Sequence, residues 1–75
     1  MTTLAPHQQR VVDEKIELDK KVTALNAFLR TSAIFPTLDA AEQERLRDQN
    51  QVMHRYSEIL GERIAAFTAT TKETT

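Results

Sequence analysis

The stretch TSAIFPTLDAAE, residues 31–42, decides how this chain folds, because helical sequence stops there and starts again. Pro36 lacks the N–H that a helix interior needs, and it biases Phe35 away from helical angles. Asp39 is a strong N-cap residue, and Glu42 three positions later supplies the capping-box spacing. Ile34, Phe35 and Leu38 are apolar, so the connection is expected to fold back over the end of a helical pair, with Phe35 as its plug.

On the N-terminal side, residues 7–30 contain neither Gly nor Pro and are rich in Glu, Lys, Gln, Leu and Ala. Val11, Leu18, Val22, Leu25 and Leu29 fall on one stripe at largely heptad intervals, with His7 one turn above Val11. Pro6 suits a first helical position, where its missing N–H does no harm. On the C-terminal side, Leu46, Met53, Tyr56, Leu60, Ile64 and Phe67 form a matching stripe. The spacing predicts helices over about 6–31 and 40–67 joined by a connection at 32–39. Residues 1–5 read as a flexible lead-in and the Thr-rich residues 68–75 as a disordered tail. The fold class is all-α, an antiparallel two-helix hairpin.

Each helix carries a second apolar flank about 100 degrees from its stripe: Val12 and Ile16, continued by Thr23 and Ala27, on the first, and Val52 and Ile59 on the second. A single antiparallel contact covers one stripe per helix. A chain of 75 residues without cysteine has no disulfide to add stability, and chains this short bury only about 60% of their unfolded surface. Val12, Ile16, Val52 and Ile59 are therefore expected at an interface between copies, giving a homo-oligomeric helical bundle, most simply a dimer of hairpins, with a larger ring as the alternative.

Ten Lys and Arg stand against eleven Asp and Glu, a formal charge of -1. That balance argues against non-specific coating of nucleic acid, which needs many unopposed cations. Apolar runs fall far short of the roughly 20 residues that cross a bilayer, and no basic-then-apolar leader opens the chain. A soluble, cytoplasmic protein is the expectation. The pairs Arg10–Glu14, Lys15–Asp19 and Glu17–Lys21 have the i,i+4 spacing that supports helices.

Two polar groups stand out. The opening His7, Gln8, Gln9 and Arg10 lie at a helix N-terminus, where unpaired N–H groups favour anions; Lys20 and Lys21 add cations further along. The same cluster also reads as an ordinary polar first turn with Arg10 paired to Glu14. On the second helix, Asn50, His54, Ser57 and Gly61 form a small, polar face suited to close helix packing or to a pocket wall. Gly61 costs a helix about 1 kcal/mol relative to Ala, a cost accepted where something approaches closely. No catalytic constellation emerges: there is no thiol, no metal-ligand spacing for the two histidines and no phosphate-binding glycine loop. No cofactor, metal or enzyme activity is expected.

The segments PHQQRVVDEK, residues 6–15, and YSEILGERIAAF, residues 56–67, resemble those of small uncharacterised phage and prophage proteins, a likeness spanning most of residues 6–67. Membership implies a phage accessory protein acting in a bacterial cytoplasm. A more distant likeness is to the helical hairpins of phage sponge proteins, which sequester cyclic-nucleotide messengers of bacterial immunity between the chains of symmetric oligomers. None of their binding residues finds a matching motif in this chain. Together these imply a non-enzymatic binding protein that captures a small anionic signal, such as a cyclic nucleotide, or a host protein. The alternative is a structural or assembly accessory acting only through self-association and docking.

Overall fold

A computed structural model describes residues 4–73, with side chains to residue 68. Helix α1 spans Pro6–Thr31 and helix α2 spans Ala40–Glu73, separated by a short 3-10 turn at Phe35–Thr37. The two helices lie side by side in a rod of 55 × 17 × 16 Å. Among the described residues there is no strand, and the chain is a helical hairpin.

The ends of the helices follow from local chemistry. Pro6 opens α1, and the Gln8 side chain reaches back to accept the Ala5 N–H at 2.9 Å. Asp39 Oδ1 accepts the Glu42 N–H at 2.8 Å, the expected cap of α2. Glu42 does not complete the reciprocal half of a capping box; it accepts from Arg45 at 2.8 Å. Gln43 clamps the connection, its Nε2 donating to the carbonyls of Leu38 at 2.9 Å and Phe35 at 3.3 Å. Phe35 is the buried plug, edge-on to Phe28 with 6.0 Å between ring centroids and with the Arg47 guanidinium 5.2 Å above its face. Ile34 departs from expectation. It is 61% exposed, because the 3-10 turn aims Phe35 inward and its neighbour outward.

Two boundaries also differ. α2 continues past Phe67 through Glu73, where residues 68–75 read as a disordered tail. Thr lowers helix propensity without breaking a helix, and the Thr68 hydroxyl donates to the Ile64 carbonyl at 2.9 Å. Thr74 and Thr75 lie outside the described residues, as do Met1–Thr3 of the lead-in. Leu4 and Ala5 are half-buried at the start of α1.

The seam between the helices is thin. Val11, Leu18 and Val22 of α1 pack with Leu60 of α2, and Met53, Ile64 and Phe67 lie against them. Among the described residues Leu60 alone is wholly inaccessible, at 0%. Tyr56, expected on the stripe, is 40% exposed, and half-buried Ser57 occupies the seam beside it. A straight helix of period 3.6 would bring position 56 inward. A hairpin supercoiled to period 3.5 takes 50, 53, 57, 60, 64 and 67 instead.

Candidate functional site

Each helix presents two rows of residues flanking the seam, and each row meets the corresponding row of the other helix on one broad face of the hairpin. On the first face, His54 Nε2 lies 3.3 Å from Asn26 Oδ1. On the second face, at the open end, His7, Gln8 and Val11 of α1 meet Arg63, Ala66 and Phe67 of α2 around a groove of about 380 Å³. His7 and Arg63 are exposed along its edge, and half-buried Phe67 with buried Val11 gives it an apolar floor. An exposed guanidinium over apolar side chains suits an anion that carries a flat or hydrophobic body, since Arg binds phosphate or carboxylate bidentately.

The six predicted anion contacts do not gather in one place. His7 and Gln8 line the groove, though the Gln8 carbonyl oxygen is engaged by Ala5. Gln9 turns away and donates to Asp13 at 3.0 Å. Arg10 is exposed and forms neither the expected pair with Glu14 nor any other ion pair among the described residues. Lys20 pairs with Glu17 at 3.1 Å, displacing the expected Glu17–Lys21 pair, and Lys21 is exposed. Lys20 stands ten residues beyond Arg10, about 15 Å along the helix, so no single small ligand on one chain spans both. Two amides of the first turn are also already engaged: the Gln8 and Gln9 N–H groups both donate to the Ala5 carbonyl at 2.9 Å. Arg63, outside these six, joins His7 and Gln8 from across the seam within one chain, a juxtaposition that only the helix register sets.

On the small polar face of α2, Ser57 and Gly61 meet Lys15 and Asp19 of α1. Lys15 Nζ donates to Asp19 Oδ2 at 2.8 Å and to Ser57 Oγ at 3.0 Å, and the Ser57 hydroxyl donates to Asp19 Oδ1 at 2.5 Å. These bonds hold the Asp19 carboxyl below its ordinary range, the Lys15 bond first and the Ser57 bond second. The Lys15 stem lies along α2 beside Gly61, where a Cβ would meet Lys15 Cε at an ordinary contact distance of 3.5 Å. Asn50 sits in the seam with its Oδ1 buried and without a hydrogen-bond partner. Lys15 gave no sequence signal for this role beyond its i,i+4 spacing to Asp19.

A second depression, about 430 Å³, lies over Thr23, Asn26, Ala27, Arg30 and Thr31. It is built from α1 alone, and the Thr23 and Thr31 hydroxyls donate to their own helix, at 2.9 and 2.7 Å. The groove at the open end, which two helices build, is the stronger candidate.

A family model described as Sequestin matches residues 5–66. The chain belongs to the Sequestin family. It is also 46% identical over 61 residues to the "Uncharacterized 7.5 kDa protein in denB-rIIB intergenic region" of Enterobacteria phage T4, covering 81% of this chain and 94% of that relative. No solved structure matches it. The resemblance to small phage proteins is thus established at the level of family. No helix among the described residues is long and apolar enough to cross a membrane.

Proposed function

We propose that this Sequestin-family chain is a non-enzymatic phage accessory protein that self-associates and captures a small anionic signal of the host, a cyclic nucleotide. The observation that carries this reading is the open-end groove, where His7 and Arg63 come from different helices to flank an apolar floor of Val11 and Phe67. A phosphate held by Arg63 and a base lying on Phe67 are what such a groove accommodates. Its volume of about 380 Å³ falls in the roughly 300–1,000 Å³ range of small-molecule sites. The family's description as Sequestin agrees with capture.

Self-association is supported by the exposed Ile16, Val52 and Ile59, at 50%, 68% and 38%, with half-buried Val12 beside Ile16. These apolar flanks equally favour an accessory that only assembles and docks, and the experiment separates the two. Native mass spectrometry and calorimetry with a panel of cyclic mono- and dinucleotides should show binding at a fixed number per assembly. Arg63→Ala is expected to weaken it at least tenfold, and Arg10→Ala little. Silence across the whole panel, or affinity indifferent to both Arg63→Ala and His7→Ala, overturns the capture reading.

A further inference from the structure

The two apolar flanks lie on opposite broad faces of the hairpin. Val12 is two heptads from Asn26 and so shares its row, and Asn26 meets His54 across the first face. Ile16 continues that patch one turn on. Tyr56 is one heptad from Arg63 and so shares its row, and Arg63 meets His7 across the second face. Val52 and Ile59 bracket Tyr56 four and three residues away, on the same side of α2. One patch therefore belongs to α1 and the first face, the other to α2 and the second.

A two-fold dimer uses one patch twice. Whichever patch it used, the opposite one would stay wet. We infer that each chain contacts two other copies through two different interfaces, so that the assembly is larger than a dimer. This rests on the self-association reading above, and the placement of the two patches decides against the dimer, the simpler of the two assemblies that the sequence leaves open.

The occupant is a second copy on two grounds. The first is area: a face of 55 by 17 Å offers on the order of 900 Å², matching the roughly 800 Å² per partner that a stable interface needs. A rod of equal length fills it end to end. The second is charge. When two α2 helices pack antiparallel about the midpoint between Arg55 and Tyr56, Val52 of one copy meets Ile59 of the other. Asp48 then lies opposite Arg63, whose five N–H donors leave a second edge for the groove, Gln49 opposite Glu62, and Arg55 opposite the Tyr56 ring, with no like charges facing.

Sedimentation and native mass spectrometry of the full chain test this. The wild type is expected at more than two chains. Ile59→Asp should stop assembly at a dimer held through the α1 patch, Ile16→Asp at a dimer held through the α2 patch, and the double variant at a monomer. Both positions are well exposed in the hairpin, and helicity by circular dichroism checks that each variant folds. Independently of folding, Val52→Cys with Ile59→Cys in this cysteine-free chain should give covalent dimers on oxidation. Within one chain these positions are about 10 Å apart along the helix, too far to bridge. A wild-type dimer, or one single variant without effect, overturns the two-interface inference and leaves self-association standing. A folded wild-type monomer overturns both.

Discussion

Leu60→Ala is the perturbation that most directly weighs the hairpin seam. Leu60 has no accessible surface, and it packs with Val11, Leu18 and Val22 of the opposite helix. Truncating a buried Leu to Ala removes its transfer free energy and leaves a cavity, together about 2–5 kcal/mol. A domain of this size has a total stability of about 4–10 kcal/mol, so the variant forfeits a large share of it. With about 4–8 °C of melting shift per kcal/mol for small domains, Tm should fall by about 10 °C or more. The assay is thermal unfolding followed by circular dichroism at 222 nm, with wild type and variant at one protomer concentration because assembly makes Tm concentration-dependent. Ile59→Ala, one residue away and outside the seam, is the control: its cost should shrink as the protein is diluted, while that of Leu60→Ala should not. A Leu60→Ala shift under about 4 °C, or one that vanishes on dilution, would refute the assignment of Leu60 to the intrachain core.

Three further outcomes follow from the polar residues of the seam. Gly61→Ala should raise stability by about 0.5–1 kcal/mol, because the added Cβ meets Lys15 Cε at an ordinary 3.5 Å and the helix gains propensity; a lower Tm would show that the helices need the closer approach. Asp19 has its pKa depressed by Lys15 and then by Ser57, so its contribution is present above the ordinary Asp range and is lost as pH falls through the lower folded value. Stability should therefore decline from about pH 4 downward less steeply in Ser57→Ala than in wild type, and equal slopes in an acid titration would contradict this. Asn50→Leu removes a buried oxygen that has no partner and should stabilise the hairpin by about 1–3 kcal/mol, read as a higher midpoint in urea. An unchanged or lower midpoint would mean that Asn50 has a partner in the assembled protein.

Much of the hairpin was legible because its signals are local. Pro36, Asp39 and the heptad spacing of Val11, Leu18, Val22 and Leu25 each act within a turn or two of helix, and the structure uses them as read. What escaped the sequence depends on register between the helices. Tyr56 and Ser57 differ by one position, and only supercoiling decides which of them faces α1. Lys15 looks like a surface cation until Gly61 and Ser57 arrive opposite it. The candidate site failed to converge for the same reason: Gln9, Arg10, Lys20 and Lys21 are neighbours in sequence or on one helix, whereas the groove takes two residues of that cluster and finds its guanidinium 56 positions away, in Arg63.

The polar layer and the groove are connected through that register. The apolar seam alone is repetitive, since Leu or Val recurs at each heptad of α1 and α2 offers Leu46, Met53, Leu60 and Phe67 at the same interval. Sliding one helix past the other by a heptad would preserve most of those contacts at little cost. It would also carry Arg63 about 10 Å from His7 and dissolve the groove. The Lys15–Asp19–Ser57 layer removes the degeneracy: in the slid arrangement Ser57 loses Asp19, and the Lys15 stem meets a side chain where Gly61 now leaves room. A partly polar layer of this kind holds one alignment at some cost in stability, as a single polar residue does in a coiled coil. In a hairpin whose seam is this thin, that expense is intelligible if the alignment is what positions the groups at its open end.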